Sequence, residues 1–243
     1  MTLHPLRSPL GWLHPLGLIY DGSQAQVWAV ARDDGAQAAL KRQPRARVSR
    51  AALELHARLA HPAIVPLLAH WTDDDHACCL MPLYAANAHQ QPPSPDRAAA
   101  WLAQLTEALL ALHAAGWAHC DVWPGNVLID ADGQPALADF DRATPFGQRA
   151  GAASPLYASP ERLLMNAPVK EACDVYSLGI IFHQWLAGQH PYAHLPAPRA
   201  IRHVVEAALP PVDPRYDDLI AAMTHKSTCE RPTLREVLSR LKN

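Results

Sequence analysis

The polar, proline-rich stretch at residues 87–95 divides this chain into two differently patterned parts, and no other feature constrains its fold as much. Before the break, short apolar runs are separated by turn residues; after it, apolar residues recur at helical spacing. Residues 16–20 and 26–31 flank Asp21-Gly22-Ser23, and residues 37–41 follow Asp33-Asp34-Gly35. That spacing predicts a three-stranded meander. Residues 64–71 and 77–83, around the acidic turn Asp73-Asp74-Asp75, predict two more strands. One helix interrupts them over residues 49–60, with Ser49 as its cap and Ala52, Leu55 and Leu59 on its apolar face, and His61-Pro62 ends it. Beyond the break, a helix over residues 96–115 carries Trp101, Leu105, Ala108, Leu109 and Leu112 on one face. Residues 127–129 and 136–140 predict short strands joined by Asp130-Ala131-Asp132-Gly133, and helices follow around residues 175–186, 201–208, 216–224 and 233–241. The expected class is α+β, with a β-rich part over residues 1–84 holding one helix, a larger helical part over 85–243, and a ligand cleft near Tyr84.

Composition narrows the function. A length of 243 residues is ample for a packed core, and 21 Lys+Arg against 23 Asp+Glu argue against a nucleic-acid partner drawn by a basic field. The cysteines, at 78, 79, 120, 173 and 229, lack C-x-x-C spacing, so neither a zinc site nor a disulfide framework is expected. No run of 18 apolar residues occurs, and residues 1–5 have no secretion-signal pattern, so the expectation is a cytoplasmic protein without membrane insertion. The basic run at residues 41–50 reads as a solvated loop before a helix.

The chemistry concentrates in His119-Cys120-Asp121-Val122-Trp123-Pro124-Gly125-Asn126, followed by Leu137-Ala138-Asp139-Phe140-Asp141. An Asp, an Asn five residues later and a second Asp after the next hairpin suit a hydroxyl nucleophile and a divalent ion on phosphate oxygens. This pattern resembles the H-R-D-x-x-x-x-N and D-F-G motifs of the eukaryotic-like protein kinases of Ser/Thr type. Ala39-Leu40-Lys41 resembles V-A-I-K, and Ser159-Pro160-Glu161 resembles A-P-E. Asp174-Val175-Tyr176-Ser177-Leu178-Gly179 is similar to the buried helix that anchors the catalytic loop, and Arg231 stands where the family's late Arg pairs with Glu161. The resemblance runs over residues 16–241, nearly the whole chain.

The resemblance implies a bilobal kinase-like fold, β-rich lobe first, that transfers the γ-phosphoryl of ATP, with Mg²⁺ or Mn²⁺, to a protein Ser or Thr hydroxyl. Asp121 would be the base, Lys41 the phosphate ligand, Asn126 and Asp139 the metal ligands. Ile19, Gly22, Val27, Ala39, Met81, Leu83 and Leu128 would line the nucleotide. Ser154, seven residues before Glu161, would hold Asp121 and mark a Ser/Thr acceptor. Several positions depart from the pattern. The glycine-rich loop keeps only its middle glycine, Gly22, with Tyr20 and Ala25 at the others. The helix position of Lys41's usual acidic partner falls on Ala52, with Glu54 about 200° further round, so either the helix is shifted and Glu54 is the partner or the Lys41 ion pair is absent. Cys120 replaces an Arg that would receive an activating phosphate. Trp123 replaces a Lys that would neutralise the moving phosphoryl group, leaving Arg142, Arg149 or Lys170 to supply the charge. Two rivals remain open: a small-molecule kinase of aminoglycoside or choline type, and a nucleotide-binding pseudokinase.

Overall fold

The computed structural model describes residues 3–73, 75–151, 154–164 and 167–242; Asp74, the middle of the expected acidic turn, and the opening Met1-Thr2 lie outside them. Two compact units emerge. The first runs up to Ala60 and takes in Val65–Ala85; the second combines His61–Ile64 with the chain from Ala86 onward.

In the first unit, β1 (Leu6–Ser8), β2 (Gly11–Asp21), β3 (Gln26–Arg32), β4 (Gln37–Pro44), β5 (Ala69–Thr72) and β6 (His76–Pro82) form one sheet in the order β1-β2-β3-β4-β6-β5. All its neighbours are antiparallel. The expected meander is its centre. The added β1 is turned back by Ser8, whose hydroxyl donates to Gly11 O at 2.9 Å and accepts from Leu10 N at 3.1 Å. Leu13, Trp28, Val30, Ala38, Leu40, Cys78 and Leu80 bury one face of the sheet. Helix α1 (Arg50–Arg58) starts where Ser49 predicts, the Ser49 side chain accepting from Ala52 N, and it buries Ala52, Leu55 and His56. The expected strand over 64–71 is shorter than its apolar run: β5 begins at Ala69, and Ile64 instead makes a parallel bridge with Leu137. Pro66, with no N–H and a fixed φ, explains the delay, because a ladder cannot run through it.

The second unit is helical: α2 (Pro95–Ala114), α3 (Pro160–Leu164), α4 (Ala172–Ala187), α5 (Ala197–Glu206), α6 (Asp217–Met223) and α7 (Leu234–Leu241). Helix α2 packs on α4 and α7 through the face its periodicity marks, with Trp101, Leu105, Ala108, Leu109 and Leu112 all buried. Trp101 meets Trp185 edge-on at 5.7 Å. The capping box of α7 is complete, Thr233 and Glu236 satisfying each other's backbone N–H. Short strands thread between the helices: β7 (Ala86–Asn87), β8 (Trp117–Ala118), β9 (Val127–Ile129), β10 (Pro135–Leu137) and β11 (Thr144–Pro145). The β9–β10 turn is the expected one, Asp130 Oδ1 accepting from Asp132 N and Gln134 N while Gly133 takes φ +72°. Its second strand stops early, at Leu137. Asp139 has φ +62°, a left-handed backbone that ends the ladder and turns residues Phe140–Arg142 into one 3₁₀ turn.

Candidate active site

Asp174 organises the catalytic segment from below. It lies fully buried on α4 and accepts from His119 N at 2.8 Å, Cys120 N at 2.9 Å and His113 Nε2 at 2.9 Å. Burial alone would raise its carboxyl. The hydrogen bond and charge of His113, with the Cys120 N–H, outweigh that and hold it below the ordinary carboxylate value. Two donated backbone N–H groups fix Cys120 at φ +67°, a strained conformation for a non-glycine residue that presents the next side chain, Asp121, outward.

Among the described residues, the side chain of Asp121 is held by Ser154, Asn126 and Arg142. Ser154 donates to Oδ1 through both its hydroxyl, at 2.9 Å, and its N–H, at 3.2 Å. Asn126 Nδ2 donates to Asp121 O at 2.9 Å and approaches Oδ2 at 3.5 Å. Arg142 Nε stands 3.3 Å from Oδ2. Asn126 ends a 3₁₀ turn opened by Pro124, and its carbonyl accepts from Ala138 N at 2.8 Å, which ties the Asn126 turn to the residue before Asp139. Phe140 is buried against His119, their rings edge-on at 4.9 Å, and His119 Nε2 bonds Ala138 O at 3.0 Å. Asp121, Asn126 and Ser154 thus share one hydrogen-bonded network, and Ala138, the residue before Asp139, is tied into it. Because the Asn126 amide nitrogen is spent on Asp121, its oxygen is left to accept. Together with the Asp139 carboxylate that is a hard-oxygen pair fit for Mg²⁺, whose other ligands would come from phosphate and water. Among the described residues no cluster of three or more His, Cys, Asp or Glu could hold a metal without such help.

The buried ion pair expected from the sequence is present: Arg231 meets Glu161 through two bonds of 2.8 Å, also donates to Ala172 O and His225 O, and stacks over Tyr176 at 4.9 Å. Burial raises the Glu161 carboxyl; the two bonds and charge of Arg231 more than reverse this and hold it below its ordinary value. Sequence reasoning missed Arg162. Its guanidinium donates to Cys120 O and to Gly151 O, joining the catalytic segment to the loop before α3. No spacing rule marks an Arg that acts on carbonyls so far along the chain.

In the first unit, cross-strand register does what spacing alone could not. Val27, Lys41 and Cys79 pair in one row across β3, β4 and β6, and Ala29, Ala39 and Met81 in the next. Since Ala38 and Leu40 point into the core, Ala39 and Lys41 occupy the opposite face, with Val27 and Met81 as neighbours. Ile19 is the extra residue at a register shift between Leu18 and Tyr20, and it is exposed. Gly22 opens a turn by donating to Ala25 O at 3.1 Å, and the exposed Tyr20 ring lies over its Cα, where a Cβ would displace it. Arg47 closes the same turn, donating to Ser23 O at 3.0 Å and Gln24 Oε1 at 2.7 Å. Leu83 is half-buried beyond β6, and Leu128 is half-buried on β9 of the second unit. One expectation is corrected. Glu54 faces solvent and pairs with Arg50 at 2.7 Å rather than with Lys41, because the inward position of α1 belongs to Ala52.

These connected segments match a known domain. The model of the protein kinase domain matches residues 14–241. The chain belongs to the protein kinase family. It is 27% identical over 199 residues to the serine/threonine-protein kinase Aurora-1 of Arabidopsis thaliana, covering 76% of this chain and 67% of that protein. To the serine/threonine-protein kinase PknL of Mycobacterium tuberculosis it is 30% identical over 196 residues, 72% of this chain and 48% of PknL. The serine/threonine-protein kinase pkn2 of Myxococcus xanthus is 31% identical over 198 residues, 71% of this chain but 24% of pkn2. Among the described residues of this kinase no helix is long and apolar enough to cross a membrane.

Proposed function

We propose that this kinase transfers the γ-phosphoryl group of ATP to Ser or Thr hydroxyls of a protein, with Asp121 as the base. The observation that carries the reading is the double grip of Ser154 on Asp121 Oδ1. It orients the carboxylate, keeps its second oxygen for the acceptor, and sets the peptide-positioning segment beside it. Asp121 Oδ2 then orients a short hydroxyl side chain and takes its proton. Bound Mg-ATP would supply the electrophilic phosphoryl group and neutralise its charge. Asn126 and Asp139 are the residues suited to the metal, Lys41 to the phosphates, and Val27, Ala39 and Met81 to the base of the nucleotide. Glu161 and Arg231 hold the segment that faces a peptide, and their pairing favours a protein acceptor over a small molecule.

Incubation with labelled ATP and Mg²⁺ or Mn²⁺ tests this directly. Label on the chain's own Ser or Thr residues is expected, with the rate lowered ~10²- to 10⁴-fold in Asp121→Asn. Dominant phosphotyrosine, or full activity in Asp121→Asn, overturns the reading. A second reading, a nucleotide-binding module without turnover, is favoured by Glu54 pairing with Arg50 and by the indole at Trp123. Nucleotide binding with no transfer in either metal would establish it instead.

A further inference from the structure

We propose that Arg142 is the catalytic cation that holds the transferring phosphoryl group beside Asp121. The inference rests on the reading of Asp121 as the base. A phosphoryl group in transfer spreads negative charge over three oxygens, and a site that moves it needs fixed positive charge at that point. Trp123 cannot give it. Its indole folds over Gly125, where any Cβ would strike the ring, and lies between His89 and Tyr157 at 5.9 and 6.3 Å. Of the three cations that the sequence leaves open, Arg149 and Lys170 are exposed, whereas Arg142 forms an ion pair with Asp121.

The backbone explains why it can. Asp139 is the left-handed residue that opens a single 3₁₀ turn, and Arg142 is the last residue of that turn. Arg142 thus follows the residue suited to the metal by one short turn, whose end is secured by Thr144 Oγ1 donating to Arg142 O at 2.9 Å. The contact with Asp121 is loose. At 3.3 Å it is longer than a tight charge-assisted bond, and the Arg142 side chain is 39% exposed while that of Asp121 is 11% exposed. An arginine has five N–H donors, more than Asp121, with Oδ1 already held by Ser154, can engage, so donors remain for anionic oxygens.

Two measurements on the full chain test this. Calorimetric titration with Mg-ADP and with the non-hydrolysable triphosphate Mg-AMP-PNP reads the terminal phosphoryl group alone. Arg142→Ala is expected to abolish the preference for the triphosphate while Mg-ADP affinity stays within about twofold, and Arg142→Lys to keep most of it. Label transfer to casein and to the chain itself is expected to fall ~10- to 100-fold in kcat in Arg142→Ala with little change in casein KM, and to recover when Trp123→Lys is added. Equal loss of both nucleotides, an unchanged triphosphate preference, or a kcat that stays the same or rises overturns the inference; a rise would make the ion pair a lock on the base. A wild-type chain that transfers no phosphate overturns the kinase reading separately, and the titration then decides the role of Arg142.

Discussion

A charge buried with one partner depends on that partner, and Arg231 shows the case at its simplest. Its side chain is fully buried and its guanidinium is committed to Glu161. Arg231→Ala strands a carboxylate, so denaturant unfolding should show a loss of ~3–5 kcal/mol, with Arg231→Lys intermediate because it cannot form the paired bonds. Asp139 tests the ligand site at the same scale. Replacing Asp139 with Asn removes one of two hard ligands, so the rise in melting temperature on adding Mg-ATP should shrink sharply, as it should in Lys41→Ala. His190 adds a pH response. Its Nδ1 accepts from Tyr192 N, which leaves Nε2 to donate to Leu156 O, so both nitrogens are satisfied only in the neutral ring. Burial, opposed in part by the Leu156 bond, lowers its pKa from 6.5 to about 4. Between those values the unfolded chain binds the extra proton, so stability is complete above pH 6.5 and is lost as pH falls toward 4. Melting temperature measured across that window should drop, and His190→Gln should flatten the drop.

At the scale of elements, the segments at Cys120 and Gly151 are tied together by a side chain already present. Cys120 has no charge to offer a phosphate, and burial pushes its thiol up, so it stays neutral. Arg162 supplies the tie instead, through the carbonyls of Cys120 and Gly151. Activity should therefore need no prior phosphorylation: phosphatase-treated protein should turn over from the first time point without a lag. Arg162→Ala, which forfeits charge-assisted bonds to two carbonyls, should lower the rate by about tenfold, and prior incubation with ATP should not recover it. Sheet elements argue the same way about the glycine-rich turn. With Tyr20 lying on Gly22 and Arg47 gripping Ser23 and Gln24, the turn is shaped by side chains where glycines alone would leave it loose.

Over the whole molecule, helices and strands were legible wherever one face is buried, because periodicity records burial: α1, α2, β3 and β4 lie where their apolar residues predict, whereas β2 begins at Gly11 and leaves Leu16, Leu18, Ile19 and Tyr20 exposed. The turn chemistry of Asp130-Ala131-Asp132-Gly133 and the Ser49 cap were legible for local reasons, since a side chain bonds its own backbone a few residues away. Pro66 could have warned that β5 starts late. What sequence by itself determined is the class of fold, and it marked the candidate chemical groups, Asp121, Asn126, Asp139, Lys41, Glu161 and Arg231, because these rest on residue type and spacing. Tertiary structure alone decided their partners. Glu54 went to Arg50 because Ala52 took the inward face of α1, Arg162 reached carbonyls 42 and 11 residues back along the chain, and Arg142 met Asp121 because Asp139 adopts a left-handed backbone that no propensity announces. Contacts between residues far apart in the chain depend on which faces meet, and a sequence pattern carries only what each face is made of.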